Sequence, residues 1–406
     1  MRILVIGGGG REHALAWKIA QSPGVELYAA PGNPGIAKVA QCIPLTHAID
    51  LAADLTVVGP EAPLVEGIVD AFRERGLAIV GPTREAARLE GSKVFAKQFL
   101  REHGIPTADC ETASNAEDAR KALRCFQFPV VLKSDGLAAG KGVVIAQNQE
   151  EAEAAIVKLT PPLVIEEFLT GEEVSFIALS DGRHVVPLAP TQDHKAVFDG
   201  DTGPNTGGMG AYCDPHILTH AETDAILERI IQPTVEATQF TGFLYAGMMM
   251  TAAGPKVLEF NVRLGDPETQ PLMHRMASDF VPLLMATARG HLSGMKIDWR
   301  PEPSLCVVLA SAGYPGSFEI GKSIHGMDRA EATGATVFQA GTRQGADGLE
   351  TAGGRVLGVT ARGHNLAAAI ENAYTAAREI EFAGMHYRTD IGRRGLQRYN
   401  TSNVGT

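Results

Sequence analysis

The sequence contains no CxxC pair, no run of basic residues, no tandem repeat and no low-complexity segment. Each gap removes a class of function. The five cysteines (Cys42, Cys110, Cys125, Cys213 and Cys306) are scattered and odd in number. They read as buried thiols of a reducing compartment, neither a disulfide frame nor a zinc site. With a net charge of −11 and no basic stretch, a nucleic-acid partner is not expected, because phosphate-backbone binding needs clustered Lys and Arg. "MRILVIGGGG" is a strand entering a loop and lacks the long apolar core of a signal peptide. One uncharged stretch, Ala237 to Pro255, approaches membrane-spanning length, but Gln239, Gly242, Gly247, Gly254 and three threonines interrupt it. It reads as a helix end, a turn and a buried strand, so no membrane partner is expected and a cytoplasmic location is the default expectation. No Ser/His/Asp arrangement or activated cysteine stands out, which leaves no side-chain nucleophile for covalent catalysis.

What is abundant is glycine, 45 of 406 residues, about 11% against a typical ~7%. Glycine lets backbone approach a ligand closely, although tight turns account for part of the excess. A chain this long exceeds one hydrophobic core, so two to four domains are expected.

Up to residue 103, apolar runs ("RILVIG", "VELYAA", "DLTVVG", "LAIVGP") alternate with helical patterns at 11–21, 63–75 and 92–103. That alternation predicts a parallel sheet covered by helices. From 104 to 303 the pattern changes: a helix at 115–125, "FPVVLK", a glycine loop, "GVVIA", a helix at 149–159 and "PLVIEEFL". The paired strands "EVSFIALS" and "HVVPLAP" follow, then a long polar loop at 193–212, a helix at 222–239 and the strands "FLYAGMMMT" and "KVLEFNV". Residues 304–406 read as a smaller α+β unit, with strands at 304–311, 335–340 and 354–360 and the helix "NLAAAIENAYTAAREI".

Two glycine loops invite a phosphate. "GGGGREH" matches the first glycines of a dinucleotide fingerprint, but its third glycine position holds Glu12, and no acidic residue ends the next strand. An anion site at a helix N-terminus, or a purely structural turn, both remain open there. "KSDGLAAGKGVVIA" (133–146) is not a P-loop: three residues separate Gly136 from Gly140–Lys141, and Gly142 follows where Ser or Thr is required. It lies between two strands, where backbone N–H groups can fold over phosphates as a lid while Lys133, on the preceding strand, neutralises charge. The bland alternative is a hairpin with a solvated lysine.

In "KVLEFNVRLGDPETQ" (256–270), strand alternation puts Glu259 and Asn261 on one face and Leu258, Phe260 and Val262 on the other. Two such oxygens can hold a divalent ion bridging phosphates, and Arg263 can clamp a carboxylate or phosphate bidentately. "VIEEFLTGEEVS" can offer backbone to an adenine edge and a carboxylate to a ribose, although a charged β-edge explains it equally well. The 191–212 stretch is too long and polar for a mere connector.

Together "GREHAL", "VGPEAPLV", "LEGSKVFAK", "DGLAAGKGV", "EEFLTGEEVS", "GPNTGGMGAY", "EFNVRLGDPETQ" and "YRTDIG" resemble the phosphoribosylamine–glycine ligase (glycinamide ribonucleotide synthetase) family of ATP-grasp enzymes, in order and end to end. The resemblance implies an N-terminal α/β domain (1–103), an ATP-grasp domain (104–303) with a mobile lid at about 125–190, and a small C-terminal α+β domain (304–406). It implies ATP at Lys93, Lys133, Gly140, Lys141, Gly142, Glu166, Glu167, Phe168, Leu169 and Glu173, and Mg²⁺ or Mn²⁺ at Glu259 and Asn261. Glycine and 5-phosphoribosylamine would meet Gly9, Arg11, Glu12, His13, Asp193, Lys195, Asn205, Gly207, Gly208, Met209, Arg263 and Asp266. Lys133, Arg263, Asp193 and Lys195 would carry the chemistry, in a monomer or weak dimer. Ala196, Ile320 and Gln339 depart from the family's usual Arg, Lys and His, at positions expected on the substrate side. Two other readings share the motifs: an ATP-grasp carboxylate–amine ligase with a different acceptor, and a nucleotide-binding regulator without turnover.

Overall fold

The computed structural model describes residues 1–137 and 142–402; Gly140 and Lys141 of the expected phosphate loop lie outside them. Five short parallel strands open the chain, in the order Gln41–Cys42, Glu26–Pro31, Arg2–Gly7, Leu55–Val58, Ile79–Val80. The central pair is apolar on both faces because helices cover both: Ile3 and Val5 join one core cluster, Leu4 and Ile6 another. The helix expected at 63–75 is two pieces, Glu61–Glu66 and Ile68–Glu74, broken at Gly67, whose φ is +94°.

The helix Lys93–Glu102 links this unit to the next. Ser92 caps it, its Oγ accepting from Phe95 N at 3.1 Å. A four-stranded antiparallel sheet follows, ordered Cys110–Ala113, Leu163–Glu167, Val130–Ser134, Val143–Ala146. Helices Ala116–Leu123 and Gln149–Lys158 pack on one face, each started by an asparagine cap. Val130, Leu132 and Ile165 fill the core between sheet and helices, which turns Val131 and Lys133 to the other face. This sheet, named the lid sheet after the sequence expectation, spans 110–167. The strands Glu172–Asp181 and Val185–Pro187, expected within a lid at 125–190, instead pair with each other in the large sheet.

That large sheet has nine strands. Its path runs Gly254–Asn261, Thr241–Thr251, Glu172–Asp181, Thr191–Asp193, Gly210–Cys213, Ser304–Ala310, Arg355–Arg362, Thr336–Gln339. Two sequence expectations change here. The 193–212 stretch is not a plain loop: Thr191–Asp193 and Gly210–Cys213 sit in mid-sheet, and between them Ala196–Phe198 pairs with Thr202–Asn205 as a small hairpin. Glycine and asparagine in short strands hid the periodicity. Residues 304–362 are also hydrogen-bonded into the same sheet through Gly210–Cys213, with Ala211 opposite Cys306, so strand pairing crosses the expected boundary at 303/304.

A bulge produces a third difference. Gly247 faces Glu259, but Met248 faces Val257, leaving Leu258 as the extra residue. Val257 therefore joins Phe260 and Val262 in the main core, while Leu258 packs with Ala108, Leu169 and Met249. Alternation had placed Leu258 with Phe260. Glu259 and Asn261 keep their common face. Among the described residues, no helix is long and apolar enough to cross a membrane.

Candidate active site

Lys133 leaves the lid sheet towards the large sheet. Its Nζ donates to the Leu258 carbonyl at 3.1 Å and pairs with Glu166 Oε1. The other Glu166 oxygen is 2.6 Å from Lys97 Nζ, and Lys97 also donates to Thr107 Oγ1 at 2.7 Å. Glu166 is only 2% exposed. Burial alone would raise its pKa, but Lys133 and Lys97 outweigh that and hold it below the usual range. The Glu166 side chain is thus a buried counter-ion. Lys97 was missed in the sequence, although it lies four residues after Lys93 on one helix face.

Lys93 donates to the Gly136 carbonyl at 2.7 Å. Beside it, Asp135 Oδ1 accepts from Ser92 Oγ and Val94 N, docking the start of the glycine loop on the helix N-terminus. Glu167 pairs with Lys256 at 2.8 Å. Leu169, Ala108, Met249 and Leu258 form a small apolar cluster against the lid, and Phe168 is partly exposed beside it.

The charged centre lies on the large sheet. Burial would raise the Glu259 carboxyl, but Lys195, Lys133, Lys93 and Arg263 together hold it below its ordinary value. Lys195 sits 3.2 Å from Glu173 Oε2, and its pKa is driven well up by Glu173 and then Asp193, against the pull of burial. The Asp193 carboxyl is also raised, to about 7. Burial dominates, and Glu268, Glu173 and Glu259 add to it against Lys195. Glu268 is itself held by Tyr245 and Ser175, at 2.9 and 3.1 Å.

Asp193 gives a pH prediction. Its folded pKa lies above the ordinary 3.8, so the folded chain holds the proton longer and stability drains from this group as pH rises from about 4 through about 7. Asp193→Asn is expected to unfold at higher urea than the parent chain at pH 8, with the gain shrinking as pH falls towards 4. An equal difference at both ends would remove the assignment.

Arg263 is already engaged by protein. Its Nη2 donates to Asn261 Oδ1 and to Glu90, both at 3.0 Å, and Nε lies 3.4 Å from Glu61. Expected as a direct clamp on substrate, it instead fixes Asn261 and the two carboxylates around the site. Glu61 and Glu90 lie within "VGPEAPLV" and "LEGSKVFAK", but the sequence alone assigned neither a role.

The N-terminal turn departs furthest from expectation. Glu12 reaches back to accept from Gly9 N at 2.6 Å, capping the helix start, and is gripped by Arg11. It fills a slot where a Cβ on Gly7 or Gly59 would collide with it. Arg11 also donates to the Leu264 carbonyl at 3.1 Å. His13 Nδ1 accepts from Gln339 N at 2.7 Å, and burial, with Lys38, lowers its pKa to about 4. These three side chains dock the helix Gly10–Ile19 onto its neighbours instead of facing an open site. Met209 is likewise fully buried, with Val197 and Ala310. Asn205 and Gly207 are exposed, and Gly208 is buried with φ +112°. Asp266 lies beside the turn: Cβ atoms on Gly9 and Gly10 would come within 3.8 and 3.7 Å of its oxygens. Of the departures, the Ala196 carbonyl accepts from Arg388, Gln339 is buried and bonded to Thr342, and Ile320 is 48% exposed.

Glu259 and Asn261 are hard oxygen donors suited to a small divalent ion. Among the described residues no three His, Cys, Asp or Glu side chains form a cage, so an ion here would draw its remaining ligands from phosphates.

The Phosphoribosylglycinamide synthetase family matches the chain in three parts: its N domain over residues 1–90, its ATP-grasp (A) domain over 91–269 and its C domain over 304–394. The phosphoribosylamine–glycine ligase of Allochromatium vinosum is 51% identical, covering 98% of this chain and 99% of its own length. The crystal structure of phosphoribosylamine–glycine ligase from Thermotoga maritima superposes with a TM-score of 0.86 at 36% identity, over 96% of this chain and all of that one. A Hydrogenobacter thermophilus biotin carboxylase domain, solved with MgADP, shares the fold at TM-score 0.72 and 17% identity, over 95% of this chain and 91% of that one.

Proposed function

The chain belongs to the phosphoribosylglycinamide synthetase family, an ATP-dependent ligase family of purine biosynthesis, and from that premise we propose how its own residues carry out the ligation. Glycine's carboxylate oxygen attacks the γ-phosphorus of ATP, and the bond to the ADP oxygen breaks, giving glycyl phosphate and ADP. The amine of 5-phosphoribosylamine then attacks the glycyl carbonyl and expels phosphate, forming the amide of glycinamide ribonucleotide. Both nucleophiles belong to substrates, so the protein's task is alignment and charge handling.

One observation carries the reading: Glu259 lies within the field of Lys93, Lys133, Lys195 and Arg263, where the lid meets the large sheet. Lys133 and Lys93 would release the Leu258 and Gly136 carbonyls to take phosphate oxygens. The cluster Leu169, Met249, Leu258 and Ala108 would receive the adenine, and Glu173 the ribose. Glu259 and Asn261 would hold the divalent ion, which when bound neutralises phosphate charge. Asp193, buried beside Lys195 and poised near neutrality, is placed to take the proton that the attacking amine sheds. Asp266 and the 205–208 turn would border the amine substrate.

The test is ADP release with Mg-ATP, adding glycine and freshly generated 5-phosphoribosylamine singly and together. Release only with both supports the ligase. Release with another acid or amine in their place would point to a different acceptor, and binding of ATP without turnover to a regulator.

A further inference from the structure

Among the side chains that the 304–406 segment sends towards the candidate site, Arg355 has an unusually specific setting. Arg355 begins the strand Arg355–Arg362, where a register shift sets Leu309 opposite Leu357 but Ala310 opposite Arg355. Bulges of this kind re-aim the neighbouring side chain. Arg355 Nη1 donates to the carbonyls of Gly207 and Asp266, both at 2.6 Å, and Nη2 lies 3.1 Å from Asp266 Oδ2. One guanidinium thus ties together two loops that the sequence separates by about sixty residues. Tyr314 completes the clasp by accepting from Gly207 N at 3.0 Å.

The surroundings are cut to fit. A Cβ on Gly354 would fall 2.2 Å from the Tyr314 ring, one on Gly207 would sit 3.0 Å from the Arg355 Cζ, and one on Gly208 would strike Pro267 at 2.4 Å. Three glycines therefore make room for one arginine, one tyrosine and one close loop contact. Asp266 in turn borders the Gly9–Gly10 turn, so all three sequence units meet at this point.

We infer that Arg355, with Tyr314, is a positioning residue for the amine substrate: it sets the 207–208 turn and Asp266 in register with the N-terminal glycine turn. The inference rests on the function proposed above for where the amine binds. It makes residues 304–406 part of the specificity apparatus for the acceptor and leaves the nucleotide side, which Lys133, Glu166 and Glu259 build, independent of them.

Arg355→Met is expected to raise KM for 5-phosphoribosylamine by about 10- to 100-fold with KM for ATP little changed, while the thermal midpoint falls because Asp266 loses its ion-pair partner. Arg355→Lys should recover only part of this, because a single ammonium cannot span both carbonyls. Tyr314→Phe should show a smaller rise of the same kind. KM for ATP and for the amine rising together would overturn the inference, as would an unchanged KM for the amine. Amide hydrogen exchange supplies an arm that does not depend on activity. Arg355→Met should speed exchange at residues 207–209 and leave the strand Val130–Ser134 as protected as in the parent. Unchanged protection at 207–209 overturns the inference, even if the parent chain proves not to ligate these substrates. Absence of ADP release by the parent would count against the proposed function alone, with the exchange result still deciding the clasp.

Discussion

Replacing Glu259 by glutamine is expected to lower turnover by about 10²–10³-fold, the scale for losing one electrostatic contact at a reacting phosphate, without unfolding the chain. The carboxylate is held ionised by Lys195, Lys133, Lys93 and Arg263 against the cost of its burial. Glutamine keeps the volume and one oxygen but removes the negative charge that would attract a divalent ion. The loss should therefore appear in the metal dependence: saturation of ADP release should move to higher Mg²⁺, while metal-free ADP binding stays close to the parent's. Turnover within about threefold of the parent at ordinary Mg²⁺ would sink the role given to Glu259.

The second large effect is at Lys133, where activity and stability separate. Lys133→Met should abolish phosphate neutralisation on the lid side and cut turnover by a similar factor. It also leaves Glu166, 2% exposed, with Lys97 as its remaining cationic partner. Breaking a buried pair costs about 3–5 kcal/mol, and because Lys97 stays, the low end of that range is expected. Adding Glu166→Gln together with Lys97→Met removes both the carboxylate and its remaining buried cation. The triple variant should regain most of the lost thermal stability and none of the activity. Recovery of both together would mean that Lys133 serves only to neutralise Glu166.

Wherever the information was local, the sequence was a sound guide. The apolar runs of the first hundred residues became the parallel sheet, because strands covered on both faces need no alternation. The period-2 pattern at 130–133 placed Lys133 opposite Val130 and Leu132, which the lid core then took up. Glu259 and Asn261 kept their common face even though the bulge at Leu258, just before Glu259, moved that residue to the other side. Local pattern failed at 193–212, where glycine and asparagine disguised four short strands whose pairing depends on partners far along the chain.

The sequence by itself determined the succession of elements, the glycine-loop hairpin with its lysine, and the paired oxygens of the strand Gly254–Asn261, since these follow from side-chain alternation and backbone preference within a few residues. Tertiary structure alone decided what each charged group is bonded to. Glu12 became a helix cap, His13 a neutral acceptor for Gln339, Arg263 a brace for Asn261 and Glu90, and Arg355 a clasp across Gly207 and Asp266. A buried charge must find its counter-charge or hydrogen-bond partner, and those partners come from segments brought together only when the sheets and helices pack.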